Sequence, residues 1–233
     1  MDDQKALPTD NRQPSRREVL VGTGAVGLML MNASSVFAQG ADGANTIRVG
    51  FISPRTGPLA SFGQTDGYVI DLARKSLAAG LTVGGKKYAV EILDRDTQSD
   101  PARASQLAKA LIDSSKVDLI LTIAAPETTN PVADACEAAG VPCVATVVPW
   151  ESFYFGRGAK PGAPSPFKWS YVFSFGVAQF AKSFVSAWSE LPTNKRVAAL
   201  YPNDADGNAI REHLAPELEK AGFTVVDAGP YED

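Results

Sequence analysis

The sequence predicts an α/β protein in which helices cover parallel sheets, with a first domain complete in outline and a second only begun. Three observations carry this. From residue 46 onward, apolar runs of strand length alternate with longer stretches of helical period, the pattern of a parallel sheet with crossover helices. Residues 117–123 are almost wholly apolar, as a strand buried on both faces must be. Asp100-Pro101 pairs a good helix cap with the first helical position, where proline is tolerated.

The elements follow in order. Residues 47–52 form a strand with Ile47, Val49 and Phe51 on one face, and it runs into the turn-rich Ser53-Pro54-Arg55-Thr56-Gly57-Pro58. A helix is expected over 64–79, where Val69, Leu72, Ala73 and Leu77 share a face; Gly80 ends it and Gly84-Gly85 makes a turn. Residues 88–93 form the second strand. The helix opened by Asp100-Pro101 buries Leu107, Ala108, Leu111 and Ile112. The apolar run 117–123 is the third strand, residues 130–139 are a helix closed by Gly140, and residues 141–148 are the fourth strand.

Regularity breaks over residues 149–169, a stretch rich in glycine and proline and too long for an ordinary connection. Nearly half of the chain's aromatic residues fall between Trp150 and Phe175, a load that a disordered segment does not carry. The pattern resumes with a helix over 177–191, a strand over 196–201, a helix over 208–221 ended by Gly222, and a strand starting at Thr224. This reads as a leading lobe over 39–170 and the start of a second, incomplete lobe over 171–233.

The chain has 233 residues, with 45% hydrophobic and 21% charged residues and a net charge of −4. That is an ordinary globular composition, and a mildly acidic body argues against nucleic acid as a partner. Residues 1–38 read as an export signal. Arg16-Arg17 precede an apolar stretch from Val19 to Met31, and Val36-Phe37-Ala38 is a cleavage-type site. The arginine pair and weakly hydrophobic centre are Tat-like, so the mature chain is expected in the periplasm, cleaved after Ala38. Within that leader, residues 22–27 match GxGxxG but lack the strand a dinucleotide site needs.

Other chemistries find little support. Cys136 and Cys143 lie on neighbouring elements; in an exported chain they can pair, and at core-facing positions they can also remain buried thiols. His213 stands alone on a helix, so no nucleophile has a base at a recognisable spacing. Asp94, Asp96 and Asp100 read as turn and cap residues rather than metal ligands. No cofactor or metal site is indicated, and an enzyme is not expected.

One resemblance covers most of the mature chain. The opening Ile47 to Gly63, with Gly50, Pro54, Thr56, Gly57, Ala60 and Gly63, resembles the start of the branched-chain amino-acid-binding family of type I periplasmic substrate-binding proteins, which feed ABC importers. Asp94 to Pro101 and Glu127 to Asp134, followed by Gly140-Val141-Pro142, are similar to that family's next two motifs in the same order. The resemblance implies the type I fold of two three-layer parallel-sheet lobes closing on a small molecule, with ABC permease membrane subunits as partner. It implies that this chain holds part of a longer protein, and that residues 39–233 alone bind weakly.

The resemblance also implies where a ligand lies: Phe62 on the first loop, Ala125, Pro126, Glu127 and Thr128 after the most buried strand, Thr146, Val147, Val148 and Trp150 after the next, and Asp206 on the second lobe. Family members place a serine hydroxyl near residue 126; Pro126 has no donor and Glu127 repels an anion, which argues against a plain amino acid. Thr128 and Asn130 are alternatively helix-capping residues, and Trp150 is alternatively core packing. Asp206 falls where the family often has a tyrosine; an acid there accepts from an amine or hydroxyl, or caps the helix near Asn208. The aromatic density favours an aromatic or apolar solute over a small polar one. The alternatives are a sensory or regulatory module of the same fold and an exported α/β enzyme.

Overall fold

The structure is a computed structural model and describes residues 45–232. The expected export signal and the GxGxxG match lie outside the described residues. The first sheet has six strands: β1 (Thr46–Ser53), β2 (Leu81–Val83), β3 (Lys86–Asp96), β4 (Leu119–Ile123), β5 (Cys143–Thr146) and β6 (Ser170–Phe173). Their spatial order is β2-β3-β1-β4-β5-β6, all parallel except the β2–β3 hairpin. The covering helices are α1 (Asp66–Ser76), α2 (Pro101–Asp113), α3 (Pro126–Ala139) and the short α4 (Trp150–Tyr154). A second sheet pairs β7 (Arg196–Pro202) in parallel with β8 (Thr224–Tyr231), beside α5 (Val177–Ser189) and α6 (Ala205–Lys220).

Each lobe has its own core. Ile52, Leu111, Ile120, Val132, Cys136, Cys143, Val148 and Phe153 pack together in the first, and Val177, Ala181, Leu214, Leu218 and Phe223 in the second. On α5, Phe180, Phe184 and Trp188 recur every four residues, so they fall on one face and stack on one another. Cys136 and Cys143 are free thiols, both fully buried.

Several details depart from the expected elements. A β2–β3 hairpin stands where the sequence predicts only a turn; Gly84-Gly85 is a two-residue loop of the kind that joins antiparallel strands. Helix α3 begins at Pro126 rather than Asn130, because Ala125-Pro126, five residues before Asn130-Pro131, offers an X-Pro start of its own, leaving Pro131 inside the helix. The stretch 149–169 is partly ordered into α4 and a 3-10 turn at Phe155–Arg157. Strand β6 pairs with β5, so the elements of the first sheet run to Phe173, and α5 follows from Val177.

The aromatic segment owes its order to buried polar groups. The Arg157 side chain is 1% exposed, its guanidinium 4.0 Å from the Phe167 ring centroid and 4.8 Å from that of Phe153. It donates to Asp134 at 2.7 Å and to Ser170 Oγ at 3.0 Å. Glu137 on α3 accepts from the N–H groups of Lys168 and Trp169 and from Ser170 Oγ, at 2.7–2.9 Å. Burial pushes the Glu137 carboxyl up, but these donors outweigh it and hold it below the usual carboxylate range. Hydrogen bonds to a charged group are each worth about 1.5–3 kcal/mol when the partners are sheltered from water. Glu137→Ala is expected to lower the unfolding free energy by about 2–3 kcal/mol, read as a drop in urea midpoint, while Glu137→Gln, which keeps one acceptor, costs less.

Candidate functional site

Strand order places the site. Going outward from β1, the chain lays β3 on one side and β4 on the other. The loops that leave the carboxyl ends of β1 and β4 therefore diverge, and a crevice opens between them. On the β1 side, the loop is stapled to the loop after β3. Asp96 accepts from the N–H groups of Arg55 and Gln98 at 2.8 Å and from Thr56 Oγ1 at 2.8 Å. Ser99 Oγ donates to Thr56 O at 2.7 Å and accepts from Leu59 N at 3.0 Å. Gly57 has φ +85°, and a Cβ there would meet Gln98 O at 2.7 Å, so only glycine lets the two loops touch. Burial pushes the Asp96 carboxyl up, and the Gln98, Thr56 and Arg55 donors more than offset it, leaving it below its usual range. The acidic strand end is thus a loop clamp. Asp94 pairs with Arg55 and Arg74, and Asp100 caps α2 through Arg103 N.

On the β4 side, Ala124 is fully buried at φ +126° and Ala125 is the N-cap of α3. Val147, just after β5, sits at φ +73°. A β-branched residue in the left-handed region is a genuine outlier, and such strain concentrates where a fold holds a functional edge in place. Both outliers lie at the carboxyl edge of the sheet.

The second lobe supplies the facing wall. Asp204 caps α6, accepting from Gly207 N at 2.6 Å. Gly207 has no room for a Cβ, which would lie 2.3 Å from Pro202 O. The cleft between the walls has a volume of about 530 Å³. Pro58, Leu59, Phe62, Pro101 and Ala125 line it from the first lobe, and Leu200, Tyr201, Pro202 and Ile210 from the second. Its polar lining is Ser99, Glu127, Asp204 and Asp206; no Lys, Arg or His is among the described lining residues. A hollow of about 750 Å³ elsewhere is bounded, among the described residues, by α5 and the two positions after it alone. The smaller cleft draws on both lobes and is the candidate site.

The lobes meet beside it. Glu151, 6% exposed, accepts at 3.0 Å from Val177 N, the first N–H of α5, where the helix dipole also favours a negative charge. Trp150 N donates to Phe175 O at 3.0 Å. A Cβ on Gly176 would meet the Trp150 ring at 2.0 Å, so this junction also requires glycine.

Of the ten residues singled out from sequence, the structure brings Phe62, Ala125, Glu127 and Asp206 together around the cleft. The other six are not among its lining residues. Pro126 and Thr128 are buried in the first turn of α3, and Thr128 Oγ1 turns back toward Ala125 O at 3.5 Å. Asn130 Nδ2 donates to Ser152 O, so neither Thr128 nor Asn130 is the helix cap. Thr146 Oγ1 donates to Phe173 O at 2.8 Å, tying β5 to β6. Val147 is the left-handed residue, and Val148 is 1% exposed in the core. Trp150 packs edge-on to Phe155, with ring centroids 5.4 Å apart, at the lobe junction. Leu200, Tyr201, Pro202 and Ile210 were not anticipated. The strand-end rule applied to β7 finds Pro202, but Leu200 and Ile210 look like ordinary apolar positions of a strand and a helix.

Asp206 does not cap α6, because Asp204 already does. Its carboxyl is pushed up to about 6 by burial and by the negative charges of Glu127 and Asp204, against a weak bond from Ser152 Oγ at 3.4 Å. A carboxyl whose pKa is higher folded than unfolded favours the folded state below about pH 4, and that contribution is lost as pH rises through about 6. Asp206→Asn is therefore expected to stabilise the protein above pH 7 by roughly 1–2 kcal/mol, allowing for partial solvent screening. Little gain is expected at pH 4. Chemical denaturation at the two pH values checks this.

Residues 46–233 match the family model described as periplasmic binding protein. A curated but uncharacterized protein of Methanocaldococcus jannaschii is 21% identical over 218 residues, 92% of this chain and 50% of that protein. Among solved structures, a solute-binding protein of an ABC transporter from Rhodopseudomonas palustris BisB5, in complex with 3,4-dihydroxybenzoic acid, aligns with TM-score 0.63 and 26% identity over 81% of this chain and 47% of that one. A second R. palustris solute-binding protein, in complex with 4-hydroxybenzoate, gives 0.64 and 25% over 81% and 47%. A leucine-binding protein of Thermotoga maritima gives 0.64 and 21% over 78% and 48%. The chain spans about half the length of the relatives it matches.

Proposed function

We propose that this chain, which belongs to the periplasmic binding protein family, captures a small organic solute outside the cytoplasm, between its two lobes, and delivers it to the membrane subunits of an ABC importer. The observation that carries this is the cleft at the point where strand order reverses, walled by loops of both lobes. A ligand touching both walls binds the closed arrangement better than the open one, and that difference alone drives closure.

The walls support an aromatic or apolar solute, amino-acid-like or otherwise. Phe62 is 39% exposed and Leu200 72% exposed, both facing the cleft, and Tyr201 adds an aromatic ring with a polar tip. The dense aromatic segment after Trp150 does not contribute to this argument, since its rings pack on Arg157 and at the lobe junction. Support comes instead from the cleft lining and from the hydroxybenzoates bound by two of the similar proteins.

Calorimetry on the full-length gene product, against aromatic acids, phenols, amines and aliphatic amino acids, tests the reading. A micromolar complex, about −8 kcal/mol, is expected with an aromatic or apolar member. Phe62→Ala is expected to weaken it by about tenfold, the worth of one ring contact of about 1–1.5 kcal/mol. Exclusive binding of small aliphatic amino acids removes the aromatic preference, and a folded protein that holds no solute removes the function.

A further inference from the structure

We infer that the solute presents a hydrogen-bond donor, an ammonium or a phenolic hydroxyl, to the carboxylates of Asp206 and Glu127, and that a solute whose only polar group is a carboxylate is rejected. This deepens the solute-binding reading and rests on it.

The cleft sets the chemistry by what it offers and what it has already used. Its described lining holds three carboxylates and no cationic side chain. A carboxylate brought beside one of them without a counter-charge is disfavoured by about tenfold or more. Two helices start at the cleft, and helix N-termini ordinarily welcome anions. Here much of that donor supply is spent. Pro126 has no N–H, and the N–H groups of Thr128 and Thr129 bond Ala125 O. On α6, Gly207 N bonds the Asp204 carboxylate and Asn208 N bonds Asp204 O. Asp204 is therefore occupied as a cap, whereas among the described residues Asp206 has only the long contact from Ser152. Glu127 and Asp206 come from opposite lobes, so a donor shared between them also relieves their mutual repulsion and favours closure.

The apolar remainder of the lining fixes the rest of the ligand's shape: an aromatic or aliphatic body bearing the donor. The titratable groups that face Asp206 are Glu127 from α3 and Asp204 at the start of its own helix, with Tyr201 in the same wall at the end of β7. Protonation of Asp206 below about pH 6 removes the charge that an ammonium seeks. A phenol, which only needs an acceptor, loses less.

The test uses the full-length gene product and a panel in which each apolar body is offered as amine, phenol and carboxylate; phenethylamine, 4-methylphenol and benzoate form one such set. At pH 7.5 the amine or phenol member is expected to bind at least tenfold more tightly than its carboxylate counterpart. If the amine is preferred, its affinity falls about tenfold between pH 7.5 and pH 5, and Asp206→Asn flattens that profile. If the phenol is preferred, Asp206→Asn weakens it without a pH profile. Glu127→Gln narrows the discrimination against carboxylates. Circular dichroism establishes that each variant is folded. Carboxylates bound as tightly as their counterparts, or a preference that Asp206→Asn leaves unchanged, overturn the inference and leave solute capture standing. A folded protein that binds no member of the panel overturns both.

Discussion

Parallel pairing is the constraint on which the rest of this molecule depends. Parallel strands need a crossover between them, so every strand of the main sheet after the β2–β3 hairpin releases its chain at the same edge. At β1 the crossovers change direction, and the two loops that start there, one held by Asp96 and Ser99, the other by the buried Ala124, part from each other. No side chain has to create the cleft, because topology leaves it open. Side chains decide only what its walls are made of and how firmly they are held.

Firmness comes from charged groups placed where the chain is least regular. Glu137 grips the return of the aromatic segment into β6, Arg157 fills its centre, and Glu151 holds the first turn of α5 against α4. Glu137 and Arg157 each have several partners and Glu151 holds the Val177 N–H, and removing a partner leaves a buried or half-buried charge with an unpaired desolvation cost. The second lobe is held beside the first by a carboxylate, a glycine with no room for a Cβ and a tryptophan, with the Phe155 ring set against His213.

Much of the fold was legible in the sequence because it rests on local rules. The period-2 alternation of Ile47, Val49 and Phe51, the apolar run at β4 and the cap at Asp100 each report a structure decided within a few residues. Helix α3 starts four residues before the expected Asn130 because two X-Pro pairs compete for its start and nothing local ranks them. The hairpin at Gly84-Gly85 was hidden by the shortness of β2. The candidate site was half legible: the strand-end rule finds Ala125 and Glu127, and the loop after β1 finds Phe62. Leu200 and Ile210 were not legible, since their meeting with Phe62 depends on how the second lobe is set against the first. The role of Asp206 is ambiguous in the sequence and is decided only by the geometry that gives the cap to Asp204, and the strain at Ala124 and Val147 has no sequence signature at all.

The two cysteines carry a practical consequence. Cys136 and Cys143 are completely buried, and the Cys143 thiol is pushed well above its ordinary range by its hydrogen bond with Cys136 and by burial. Neither offers the exposed thiolate that electrophiles attack. A cysteine introduced at Leu200, where the native side chain is largely open to solvent, is then the one thiol among the described residues that a maleimide dye can reach. The scaffold thus accepts an environment-sensitive fluorophore at the rim of its cleft without prior removal of native cysteines, which suits it to conversion into an optical sensor.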